Sequence, residues 1–218
     1  MLKAVIFDMD GVIVHTNPHH QLAWRQYYEQ HGRTLSDAEF VAHVAGRHNR
    51  AILGHLFPDQ TVSVADFDRL SSEKEALFRD LYAPVMEAVA GLVPFLERLR
   101  AHGIRLGVAT AAPVENLDFI VDALSLRPYF DVLLHEKMVT NPKPDPEVYC
   151  LAMSELGVLP TETVIFEDSM TGIRAARASG ARVVGMATTH SLTELATVTD
   201  DAILDFTQMS WARLNPTN

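Results

Sequence analysis

The chain has 218 residues, 48% of them apolar, and a formal net charge of −10 from 18 Lys and Arg against 28 Asp and Glu. The apolar share excludes a disordered chain, the acidic balance argues against a nucleic-acid or anionic-membrane surface, and a lone cysteine, Cys150, excludes an internal disulfide or a multi-cysteine metal site. No run of about 18 apolar residues occurs, and the apolar N-terminal stretch is broken by Asp8 and Asp10, so neither a membrane span nor a signal peptide is expected; a cytoplasmic monomer is the expectation.

In chain order, residues 3–7 (KAVIF) form an apolar run that ends at Asp8 and Gly11, the pattern of a buried strand entering a turn. The pattern from Asn17 to about Tyr82 is helical. Asn17 and Pro18 read as a cap and first-position pair, and Gly32 as the stop. Trp24, Tyr27 and Tyr28 between them read as packing residues of this helical block. Ser36 with Glu39 fits a capping box. Further helices are predicted over residues 49–57, stopped by Pro58, and from Ser63 through Phe67, Leu70, Leu77 and Leu81.

After Pro84 the rhythm changes to alternation. Helices are predicted over 92–102, 114–124, 146–156 and 170–179, and strands over 104–109, 131–134, 163–166, 182–186 and 202–204. Such alternation implies βαβ units and a parallel sheet. The expected fold is therefore α/β: a Rossmann-like parallel-sheet core of residues 1–14 and 83–218, with an α-helical bundle cap of residues 15–82 inserted after the first strand. The charge divides unevenly between them. Residues 15–82 hold 7 Lys and Arg against 9 Asp and Glu, the remainder 11 against 19, and seven of the ten histidines fall between His15 and His55. The inserted block is thus nearly neutral and gains positive charge where histidine titrates.

Open parallel sheets place ligands beyond the carboxyl ends of their strands. Asp8 and Asp10 follow the first predicted strand, and Thr110 follows the 104–109 strand. Lys143 lies past the 131–134 strand, and Glu167, Asp168 and Ser169 follow the 163–166 strand. Any one of these acids alone reads as a helix cap. Carboxylates at two strand ends repel one another unless a cation lies between them, and oxygen-only ligands suit Mg²⁺. Such a site suits a phosphate. The metal and Lys143 would neutralise phosphoryl oxygens, Thr110 would donate a hydrogen bond, and one carboxylate would attack phosphorus. A second, two residues on, would serve as acid and base.

With four motifs in order, Asp8-Met9-Asp10-Gly11-Val12, Thr110 in VATAAP, Lys143 in KPDPEVY and Glu167-Asp168-Ser169 with Gly172, the chain resembles the haloacid dehalogenase-like phosphohydrolase superfamily, in its β-phosphoglucomutase-like branch. The resemblance covers essentially the whole chain. It implies Asp8 as nucleophile and Asp10 as general acid and base, with Thr110 and Lys143 holding the transferring group. It also implies Mg²⁺ held by Asp8, the Asp10 backbone carbonyl and Asp168, with Glu167 assisting directly or through water. His20, Arg50 and Lys74 are the implied substrate-facing residues of the cap, and Ala111 that of the loop after Thr110. Two departures stand out. His15 occupies a position where relatives commonly carry Asp, and Ala112-Pro113-Val114 replaces the polar and basic residues of a mutase's second phosphate site.

The resemblance implies a Mg²⁺-dependent phosphatase of a small phosphorylated metabolite, expected to be a sugar phosphate. The alternative is a phosphomutase such as β-phosphoglucomutase. A phospho-receiver module is disfavoured by the helical insertion, and a silent phosphate-binding relative by the intact Asp8, Asp10, Lys143 and Asp168. An EF-hand at Asp8 fails at Val12 and Ile13, and a Cys150 nucleophile has no motif around it.

Overall fold

In the computed structural model, residues 1–44, 49–58 and 63–215 are described, the side chains of residues 50 and 64 excepted. The chain divides into two compact units, Met1–His15 with Glu87–Asn218, and Thr16–Met86. The boundaries read from sequence, after residues 14 and 82, lie one and four residues before these.

The first unit is built on six parallel strands: β1 (Ala4–Phe7), β2 (Arg105–Ala109), β3 (Val132–Leu134), β4 (Thr163–Glu167), β5 (Arg182–Met186) and β6 (Asp201–Ile203). Their order in the sheet is β3-β2-β1-β4-β5-β6. β1 and β4 are buried throughout, as their unbroken apolar runs require in a sheet covered on both faces. The helices of this unit are α5 (Leu92–Ala101), α6 (Val114–Ala123), α7 (Glu147–Leu156), α8 (Met170–Ala178) and the single turns α9 (Leu192–Leu195) and α10 (Trp211–Leu214). The single turns carry too few residues for a periodic signal, and the sequence reading does not anticipate them. β6 lies one residue earlier than its apolar pattern suggests, because Asp201 pairs with Val184 of β5.

The order of the strands fixes where a ligand can sit. The chain builds outward from β1 through β2 to β3, then returns to lay β4 on the other side of β1. The reversal leaves a crevice between the carboxyl ends of β1 and β4. Register aligns those ends: Phe7 pairs with Val108 of β2 and with Phe166 of β4. One residue further on, Asp8, Ala109 and Glu167 therefore leave the sheet side by side, and the Asp8 amide still donates to the Phe166 carbonyl at 3.0 Å. An aromatic layer fixes this floor from below. The Phe7 ring stacks on Phe166 at 5.4 Å, with Phe95 and Phe206 against both.

The second unit consists of α1 (Asn17–Gln30), α2 (Asp37–His43), α3 (Asn49–Leu56) and α4 (Val64–Tyr82). Trp24, Tyr27 and Tyr28 are buried and pack with Ile52, Leu53 and Leu56, so they form the core of this unit. Ser36 and Glu39 form the capping box read from the sequence, and Ser63 caps α4 by accepting from the Asp66 amide. The start of α1 differs from the reading. Its cap residue is Thr16, whose side chain does not cap the helix, and Asn17 is already helical. Pro18 then falls within the first turn, where its missing N–H leaves no bond unmade. Among the described residues, no helix is long and apolar enough to cross a membrane.

Candidate active site

The turn after β1 is held by the Met9 carbonyl, which accepts from the amides of Val12, Ile13 and Val14, while the Gly11 amide donates to the Val14 carbonyl at 2.7 Å. Gly11 has φ +76°, and a side chain there would overlap the Asp168 carboxylate. The glycine is therefore needed twice, for the backbone conformation and for the close approach of the two strand ends. On the other side Gly172 performs a similar service, since a Cβ on it would overlap the Glu167 carboxylate.

Asp8, Glu167 and Asp168 are buried and offer carboxylate oxygens within 4.8 Å of one another. Lys143 is the ammonium that reaches them. Its Nζ donates to Asp8 Oδ1 at 2.7 Å and to Glu167 Oε1 at 2.7 Å, and also to the Ala109 carbonyl at 3.1 Å and the Tyr149 hydroxyl at 2.8 Å. The Tyr149 hydroxyl in turn donates to Glu167 Oε1 at 2.8 Å. Glu167 Oε2 accepts from the amides of Asp168 and Ser169 and from the Ser169 hydroxyl, at 3.0, 3.1 and 3.2 Å. With five donors on two oxygens, Glu167 is saturated, and it ties Lys143 to the start of α8. Ser169 also caps that helix, accepting from the Gly172 amide at 3.0 Å. The Asp168 Oδ2 atom accepts from the Thr189 hydroxyl, and the Thr188 hydroxyl donates to the Gly11 carbonyl at 2.6 Å.

The electrostatics of this cluster are unbalanced. Burial, and then Glu167, Asp168 and Asp10, push the Asp8 carboxyl well above the usual carboxylate range, while Lys143 pulls it back. Burial lowers the Lys143 ammonium, but Asp8 and Glu167 outweigh it and hold the group protonated above its ordinary value. Burial and the same carboxylates raise the Tyr149 hydroxyl, which stays protonated and donates. Three buried carboxyl groups cluster around one described ammonium, and the ligand atoms they offer are hard oxygens. This is the setting that a divalent cation of the Mg²⁺ type fits.

The remaining residues singled out from the sequence fall as follows. Asp10 is half-buried in the turn, and its carboxylate is not one of the three in the cluster. Thr110 is buried, and its hydroxyl accepts from the Ala112 amide at 3.0 Å. Ala111 beside it is exposed. His20 and Lys74 meet each other in the helical unit, with Nδ1 and Nζ 2.9 Å apart. Lys74, expected to face a leaving group, is 1% exposed and directs its ammonium at Glu75, 2.8 Å away. Arg50 lies in α3, and its side chain lies outside the described residues. Tyr149, Thr188 and Thr189 join the site without a motif role of their own in the sequence. Tyr149 stands six residues after Lys143 in the same motif, and a buried tyrosine needing a partner was the signal available there.

The haloacid dehalogenase-like hydrolase family model matches residues 5–186. Validoxylamine A 7'-phosphate phosphatase of Streptomyces hygroscopicus subsp. limoneus is 30% identical over 216 residues, 99% of this chain and 100% of that protein. A phosphorylated carbohydrates phosphatase of Thermotoga maritima is 34% identical over 197 residues, 88% of each chain. A solved family IA haloacid dehalogenase-type hydrolase of Entamoeba histolytica superimposes with a TM-score of 0.91 at 26% identity, over 98% of this chain and 97% of that one. With its four motifs gathered at the switch point of the sheet, the chain belongs to the haloacid dehalogenase-like hydrolase family, and it is a phosphatase.

Proposed function

We propose that the chain is a Mg²⁺-dependent phosphatase of a small phosphorylated carbohydrate, working through an aspartyl-phosphate on Asp8. The observation that carries this reading is the buried Asp8–Lys143–Glu167–Asp168 cluster at the carboxyl ends of β1 and β4. Asp8 and Asp168, with the Asp10 carbonyl, would hold the metal, which when bound supplies charge neutralisation for the phosphoryl oxygens.

The protein's own groups account for the rest. Asp8 attacks phosphorus, forming an O–P bond as the ester P–O bond breaks, and Asp10 gives its proton to the departing alkoxide. Asp10, now ionised, takes a proton from water. That water attacks the phosphorus, and Asp8 leaves as a carboxylate with inorganic phosphate released. Lys143 and Thr110 fix the transferring group throughout. The carbohydrate class is supported by the two bacterial relatives, a validoxylamine A 7'-phosphate phosphatase and a phosphorylated carbohydrates phosphatase. The Ala111, Ala112 and Pro113 side chains after Thr110 bear no donor for a second phosphate, which favours hydrolysis over transfer back to a bisphosphate.

The test is phosphate release from a panel of phosphorylated sugars, with isomerisation followed in parallel. Release is expected with Mg²⁺, none after EDTA treatment, and recovery when Mg²⁺ is returned. Full activity in EDTA would overturn the metal assignment, and isomerisation without net release would overturn hydrolysis.

A further inference from the structure

We propose that the Tyr149 hydroxyl is a positioning group for Lys143, anchoring its ammonium to Glu167 so that Lys143 can pass its bond from Asp8 to a phosphoryl oxygen without moving. This rests on the reading of Asp8 and Lys143 just given.

Three observations lead there. Tyr149 is fully buried in the core beside α8 and β4, where a phenylalanine would fill the same space. Packing explains the ring, and the hydroxyl is left to be explained. That hydroxyl closes a triangle: Lys143 Nζ to Tyr149 Oη 2.8 Å, Tyr149 Oη to Glu167 Oε1 2.8 Å, and Lys143 Nζ to Glu167 Oε1 2.7 Å. The ammonium also lies 4.7 Å from the centre of the same ring. Finally, Lys143 has three protons and four acceptors in reach, namely Asp8, Ala109, Tyr149 and Glu167. A phosphoryl oxygen would be a fifth, so its arrival requires an exchange of bonds. Asp8 carries the reacting oxygen, and Tyr149 and Glu167 do not react.

A lysine is a point charge on a flexible four-carbon stem. Two carboxylates attract such a charge without fixing its direction. The neutral hydroxyl adds direction, because it accepts from the ammonium along one lone pair and donates its own proton to Glu167. Its removal leaves the charges in place and loosens the ammonium's orientation, which affects the transferring step more than the capture of phosphate.

Tyr149→Phe tests this, alongside the unaltered protein, Lys143→Ala and the double variant, with an aryl phosphate as substrate and inorganic phosphate as competing ligand. The expected result is a fall in kcat of about tenfold, with KM and phosphate inhibition changed by less than about twofold and Tm unchanged. In the Lys143→Ala background the same substitution is expected to add no further loss. A fluorotyrosine at 149 keeps ring and hydroxyl but weakens the acceptor, and should give a smaller loss of kcat in the same direction, even where Tyr149→Phe folds poorly. An unchanged kcat in Tyr149→Phe, or a further loss in the Lys143→Ala background, would overturn the proposal. If the unaltered protein releases no phosphate, the underlying reading fails instead.

Discussion

Each unit of the molecule buries one lysine against carboxylates, and the two sites differ in balance. In the helical unit Lys74 is paired with Glu75. Glu75 Oε1 accepts from it at 2.8 Å and from Asn49 Nδ2 at 2.7 Å, and the His20 ring lies on Phe78 beside it. Burial raises the Glu75 carboxyl, but Lys74, His20 and the hydrogen bonds more than reverse this and bring it down to about 2. In the α/β unit Lys143 donates to two of three clustered carboxylates, and the Asp8 carboxyl is pushed up. Similar burial thus produces opposite results: around Glu75 the neighbouring cations outweigh it, and around Asp8 the neighbouring carboxylates add to it. The cluster around Asp8 is the one that the proposed metal and phosphoryl group would complete.

The largest expected effect breaks the unbalanced cluster. Asp8→Asn keeps a hydrogen-bonding side chain for Lys143 and removes the nucleophile. Phosphate release should fall by at least about a thousandfold. The denaturation midpoint should stay the same or rise, because one member of a crowded set of like charges is gone. Activity within tenfold of the unaltered protein would remove Asp8 from the mechanism.

The two sites also differ in how far the sequence betrays them. Residues 3–7 and 163–166 are apolar runs too short for helices, and the acids that follow them stand out because a buried strand ends there. Helix–strand alternation and the place of the insertion imply the parallel sheet, but the order β3-β2-β1-β4-β5-β6 is not contained in them. The Tyr149 hydroxyl escaped because a tyrosine in an amphipathic helix reads as packing, and its bond to Lys143 depends on the fold of the 143–149 segment. Thr189 follows β5 with nothing local to mark it, and its use comes from β5 lying beside β4. Lys74 and Glu75 are neighbours of opposite charge on a helix, the usual pattern of a solvated face. In the fold α1 and α3 pack on α4, and both side chains are buried.

The next effect in size breaks the balanced pair. Removing one partner of a buried ion pair strands the other, at a cost of about 3–5 kcal/mol. Lys74→Met should therefore lower the denaturant midpoint markedly, as followed by Trp24, whose ring lies 4.9 Å from the ammonium. Adding Glu75→Leu should recover most of that loss, because the second charge goes too. If the double variant is as unstable as the single one, packing of the lysine stem rather than charge pairing is what holds this site together.

The smallest effect sharpens the comparison through pH. The Glu75 carboxyl lies at about 2 in the folded chain against an ordinary 4.5. A lowered folded value means that the unfolded chain binds the proton first. The stabilisation is therefore complete above about 4.5 and is lost as pH falls toward 2, amounting in full to about 3 kcal/mol. Glu75→Gln lacks this titration. Hydrogen exchange of the α1 and α4 amides, corrected for intrinsic rates, should show a gap between the two proteins that is constant near neutrality. Below pH 4.5 the gap should narrow by about 1.4 kcal/mol per unit of pH. A gap that does not change between neutrality and pH 3 would mean that Glu75 is not held ionised by its neighbours, and that the balance ascribed to the helical unit is absent.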